Sequence, residues 1–181
     1  MYVNYETSLD GYPFKTQPYA HQRTALLMGA HQTAFGYLME MGTGKSKTLL
    51  DNIGLLYLSG RINFVVIFAP KGVYRNWVSK EIPEHFPDTV PHRTIRWVST
   101  PTKADLEEIR SVAQPFDGLT FFVMNIEAMS TVKGVDALTW LGKKFGAKGL
   151  IGVDESTTIK NMKAKRTKNL IKAGQLFAYR R

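Results

Sequence analysis

Short apolar runs alternate with amphipathic ones along most of the chain. Residues 34–39 read as a buried strand. So do 63–69, which Pro70 stops, 94–98, 119–124 after the Asp117-Gly118 turn, and 148–153. Between these runs the apolar positions recur at helical spacing. In 46–58, Leu49, Leu50, Ile53, Leu56 and Tyr57 share one face, and Gly60 lies just past the end. Helices are also expected over 73–82, 103–113, 134–145 and 164–173. Strands alternating with helices imply crossover connections. The expected fold is therefore α/β, a mostly parallel central sheet with helices on both faces. Ligands of such sheets bind beyond the carboxyl ends of the strands, and two polar motifs fall there.

The first is Glu40-Met41-Gly42-Thr43-Gly44-Lys45-Ser46-Lys47, between the first expected strand and the first long helix. A backbone that wraps phosphate needs glycines, because its N–H groups must approach the oxygens without a Cβ in the way. The helix behind adds a dipole end equivalent to about half a positive charge. Lys45 is placed to reach β and γ phosphates and the Ser46 hydroxyl to ligate Mg²⁺. Gly42, Thr43, Gly44 and Lys47 complete the candidate nucleotide loop. The common pattern has a glycine where this chain has Met39.

The second motif is Asp154-Glu155, delivered by the apolar run Leu150-Ile151-Gly152-Val153. A strand that brings two adjacent carboxylates to the sheet edge suits an ATPase. Asp154 would hold the Mg²⁺, and Glu155 would orient and deprotonate the attacking water. Lys45 and Glu155 are thus the candidate catalytic pair, ATP and Mg²⁺ the expected cofactors.

Charge adds a partner class. The formal net charge is +9. Of 24 basic residues, eight lie between Lys160 and Arg181, a stretch with no acidic residue, which leaves 16 against 15 acidic residues before it. Such a segment is drawn to phosphate polymers, though a solvated helix face has the same composition. The 181 residues contain no cysteine, which excludes disulfides, cysteine-ligated zinc and thiol catalysis. No apolar run approaches the roughly 18 residues a membrane span needs, and the start shows no secretion signal. The expected location is cytoplasmic, or associated with nucleoid or nucleus.

Several segments together resemble the Swi/Snf family of superfamily 2 helicase-like DNA translocases. Asp154-Glu155 followed by Lys160-Asn161 is similar to that family's Asp-Glu box and Lys-Asn pair. Pro70, Asn76-Trp77, Glu81 and Phe86-Pro87 resemble its second motif, and Pro18-Tyr19-Ala20-His21-Gln22 its upstream glutamine element. Asn125-Ile126-Glu127 stands where the family has Ser/Thr-Tyr-Glu, and Ser156-Thr157 where it has Ala-His. The resemblance covers roughly residues 14–170. It implies a RecA-like phosphate-loop domain over 1–181, with Gln22 reading adenine, and Lys71, Asn125 and Lys160 contacting duplex DNA. The resemblance also implies a second motor domain of the same protein beyond this chain, which supplies an arginine finger, so that residues 1–181 alone would turn ATP over very slowly. Two other readings of the motifs are a phosphate-loop kinase or small NTPase acting on a metabolite, and a non-catalytic basic nucleic-acid-binding module. Trp77 is expected in the core, and the histidines lack metal-ligand spacing.

Overall fold

The computed structural model describes residues 8–30, 32–155 and 161–181. Its centre is a five-stranded parallel sheet in the order β2-β3-β1-β4-β5. The strands are β1 (Phe64–Ala69), β2 (His92–Arg96), β3 (Leu119–Asn125), β4 (Gly149–Val153) and β5 (Tyr179–Arg180). All residues of β1 and β3 are buried, as expected for central strands covered on both faces. Alternate side chains of β1 serve opposite layers. Val65, Ile67 and Ala69 meet Leu49, Leu50, Ile53 and Leu56 of helix α2 (Lys45–Leu58). Phe64, Val66 and Phe68 meet Leu138 and Leu141 of α6 (Val132–Phe145) and Leu170 of α7 (Lys165–Gly174). Helix α1 (Ala20–Gly29) packs Leu26 on Leu55 of α2, together with Leu9 and Tyr12. The α/β class and the parallel sheet are as the periodicity predicts.

Four elements depart from the expected pattern. Residues 34–39 are not a buried strand. Only Ala34 bridges to the sheet, opposite Arg180, and Leu38 is 92% exposed. The segment instead folds on itself, with Leu38 N–H donating to the Gly36 carbonyl and Met39 N–H to that of Tyr37. Beyond Phe35, whose N–H donates to the Arg180 carbonyl of β5 at 3.0 Å, these three-residue turns close the donors of Leu38 and Met39 within the segment. Helix 73–82 continues to His85, as α3 (Tyr74–Asn76), a π-helical turn (Trp77–Glu81) and α4 (Ile82–His85). Pro83 lacks an N–H, and in a regular α-helix its ring would crowd the Ser79 carbonyl. The widened turn lies where that conflict would arise.

Strand β2 begins two residues before the expected 94–98 because Arg93, polar yet half-buried, is fully engaged. Its guanidinium donates to Thr120 Oγ1 and to the carbonyls of Ser111, Val112 and Gln114, over the Phe116 ring. Helix α5 (Lys103–Ser111) carries a reciprocal cap between Thr102 and Asp105. The short β5 was not anticipated. Arg181 N–H donates to the Ile151 carbonyl, and its guanidinium reaches Asn52 Oδ1 at 2.8 Å and the Gly29 carbonyl at 2.9 Å. Arg180 donates to the Phe177 carbonyl. Two of the eight cations of the basic segment therefore bind the protein's own backbone and core amide. Lys163, Lys165, Lys168 and Lys172 are exposed.

Candidate functional site

The N-terminal end of α2, which follows the glycine-rich segment, and the carboxylates lie toward the same edge of the sheet. Leu49, one turn into α2, packs on Gly152, where an added Cβ would lie 3.3 Å from the Leu49 side chain. Gly152 pairs in register with Ile67 and lies two residues before Asp154. The first turn of α2, with Ser46, is thereby held over the carboxyl end of β4. Asp154 is anchored through its own N–H, which donates to the Phe68 carbonyl of β1 at 2.7 Å.

Gly42 and Gly44 both adopt the left-handed region, at φ of 79° and 81°. Gly44 is the N-cap of α2 and offers no side-chain acceptor. Helical bonding begins with Thr48 N–H donating to the Gly44 carbonyl, so the N–H groups of Lys45, Ser46 and Lys47 have no partner within the helix. They face the loop as a ready anion site. Space above Gly42 is open to 4 Å. The Glu40 carbonyl accepts from Thr43 Oγ1 at 2.6 Å and from Lys45 Nζ at 2.8 Å, while Lys45 also donates to the Met39 carbonyl at 3.1 Å. Lys45 is thus folded back onto its own loop.

Three predicted residues sit otherwise than the motif suggests. The Lys47 side chain is directed away from the loop into the core, to Asp51 Oδ2 at 2.6 Å, over the Phe14 ring. Its place at position 3 of the helix sends it inward, leaving only its backbone N–H for a ligand. Gln22 is 3% exposed. Its Oε1 accepts from Tyr19 N–H, and its Nε2 donates to the Thr43 carbonyl at 2.9 Å. The amide that would read adenine instead latches α1 to the loop. His21, to which no chemistry is assigned from sequence, contacts the same Thr43 carbonyl at 3.1 Å, with Tyr19 stacked on its ring. Asn125 is buried and caps the following 3-10 turn through Ala128 N–H. It lines a cleft together with Lys71, Trp97, Thr131 and Lys133. Lys71 is exposed there. Lys160 and the Ser156-Thr157 pair lie outside the described residues.

Burial pushes the Asp51 carboxyl up to about 6, against the pull of its Lys47 partner. A raised carboxyl favours folding most below its unfolded value. That contribution is lost as pH rises through about 6, where Asp51 ionises in place. Burial likewise raises the Tyr37 phenol to about 12 and lowers the Arg181 guanidinium. This polar layer lies under α1 and α2, behind the loop.

Sequence reasoning misses one contact at the rim. Trp77, 1% exposed in the core, donates its indole N–H to Asp154 Oδ2 at 3.0 Å. Asp154 Oδ1 accepts from the Glu155 N–H at 3.0 Å, and Glu155 itself takes a left-handed φ of 52°. Non-glycine residues in that region carry strain and collect at functional sites. Expecting Trp77 in the core accounts for its ring but not for its polar edge.

Comparison with solved structures sets the frame. The SWI2/SNF2 ATPase core of Sulfolobus solfataricus, solved in complex with dsDNA, superposes with a TM-score of 0.64 at 15% identity. The match covers 95% of this chain and 32% of that one. The fold is RecA-like. No family model matches the sequence, and no curated protein does. The chain thus spans about a third of the length of that ATPase core. Among the described residues, no helix is long and apolar enough to cross a membrane.

Proposed function

We propose that this chain is the nucleotide-binding half of a DNA-dependent ATPase that moves along double-stranded DNA. The observation that supports this reading is the packing of Leu49 of α2 on Gly152 of β4, two residues before Asp154. The donor set suits the ligand. The Ser46 hydroxyl and the Asp154 carboxylate are hard oxygens of the kind magnesium prefers, and the α2 N-terminus is an anion site. Bound ATP supplies the β–γ bond to be hydrolysed and the phosphates that complete the magnesium shell.

The chain's own residues have these roles. Lys45 leaves the Met39 and Glu40 carbonyls and neutralises phosphate charge. Gly42, Thr43, Gly44 and the backbone of Lys47 wrap the phosphates. Ser46 and Asp154 hold the metal, and Glu155 takes the proton from water. Gln22 binds adenine only after releasing Thr43, which would couple base recognition to loop shape. Lys71, Lys160 and the exposed lysines of α7 are the candidate contacts to the DNA backbone. The neighbour's complex with dsDNA supports that partner.

A metabolite kinase would use the same loop, so DNA separates the two readings. In the full-length protein, duplex DNA is expected to raise ATP turnover severalfold, and added salt to suppress that stimulation steeply as counterions compete for the phosphates. Turnover indifferent to DNA would favour the kinase reading.

A further inference from the structure

The role of Trp77 goes beyond filling the core. Its ring is packed among Leu49, Ile67, Ile82 and Phe86, yet the indole N–H emerges at the rim and binds Asp154 Oδ2. The backbone beneath it is the widened π turn Trp77–Glu81. Such turns are uncommon and recur at functional positions. The other carboxylate oxygen is taken by the Glu155 N–H, and the Asp154 backbone by Phe68. Both oxygens are therefore oriented before any ligand arrives, each retaining a lone pair for a further donor.

We propose that Trp77 is a positioning residue that sets the Asp154 carboxylate for a magnesium shell. The proposal rests on the nucleotide site argued above. The physical reason is rotational. Val153 and Asp154 are half-buried at the strand end, and a carboxylate there turns about its side-chain bonds unless a directed donor fixes it. The indole is rigid and anchored by a core that cannot yield without leaving a cavity. It therefore transmits the position of the α3–α4 layer to the metal-holding oxygen. Partners that orient a metal-holding group are typically worth about 10- to 100-fold in metal affinity when removed.

Trp77→Phe keeps an aromatic ring in the core and deletes the donor. The test follows binding of a fluorescent ATP analogue (mant-ATP) to the 181-residue chain, in EDTA and across free Mg²⁺ concentrations. The expected result is that the Mg²⁺ concentration for half-maximal enhancement rises about tenfold, while affinity in EDTA is unchanged. Equal Mg²⁺ dependence in the variant and the native chain overturns the proposal and leaves the nucleotide site standing. Native protein that shows no Mg²⁺-dependent binding overturns both.

Should Trp77→Phe fail to fold, the indole resonances of the native chain decide. The Trp77 Hε1 signal, assigned by elimination with Trp97→Phe and Trp140→Phe, is expected to move on Asp154→Asn and on addition of Mg²⁺ with mant-ATP. A Trp77 signal unmoved by either overturns the proposal.

Discussion

Lys45→Ala is expected to weaken Mg²⁺-ATP binding about 10- to 100-fold while leaving the fold intact. Of the two lysines in the first turn of α2, Lys47 is committed to Asp51 inside the protein. Lys45 alone of the two is poised over the loop, held by two neutral carbonyls. A hydrogen bond to a charged group is worth about 1.5–3 kcal/mol, so losing one phosphate contact weakens binding by about 10- to 100-fold. Removing the side chain leaves the Met39 and Glu40 carbonyls near solvent, so the unfolding midpoint should shift little. Titration with Mg²⁺-ATP, paired with thermal denaturation, checks both halves. Unchanged affinity would remove Lys45 from the site.

The second large effect is expected at Gly44. Its φ of 81° lies in a region that costs an L-residue about 1–2 kcal/mol. A Cβ there would also collide with Gln22 Nε2, breaking the latch to Thr43 and stranding a buried amide, which costs about 1–3 kcal/mol. Gly42 has a nearly equal φ of 79° but open space around it. Gly44→Val should therefore lose about 2–5 kcal/mol of stability together with nucleotide binding, and Gly42→Val markedly less. Chemical denaturation of the two variants compares them directly. Equal losses would mean that Gln22 does not hold the loop.

The sheet was legible because its signal is collective. Residues 63–69 and 119–124 are apolar throughout, and a parallel strand buried on both faces reads that way. The helix over 46–58 likewise repeats its apolar face for several turns. Segment 34–39 was misread because its apolar residues signal burial without specifying a backbone partner. Only its start joins the sheet, at Arg180, while the N–H groups of Leu38 and Met39 pair within the segment, and no periodicity encodes that. The motif residues could be named from the sequence, but not the direction of their side chains. Lys45 and Lys47 are two residues apart on one helix, and the tertiary core at Asp51 decides that only one faces the loop. Gln22, Asn125 and Trp77 show the same limit, since each is a polar group satisfied by a partner distant in sequence or by a local turn. Arg180 and Arg181 read as part of a basic tail, yet β5 turns them inward onto Phe177, Asn52 and Gly29.

The central claim is that the glycine loop and the carboxylate strand grip one magnesium-nucleotide at a shared rim. A crystal structure of the chain with Mg²⁺ and a non-hydrolysable ATP analogue tests it most directly. The account predicts a metal bound by Ser46 Oγ at roughly 2.1 Å, with the Asp154 carboxylate bound to it directly or through one water, and Lys45 released from Glu40 onto the phosphates. A nucleotide seated elsewhere, or a metal that Ser46 and Asp154 do not share, would contradict it.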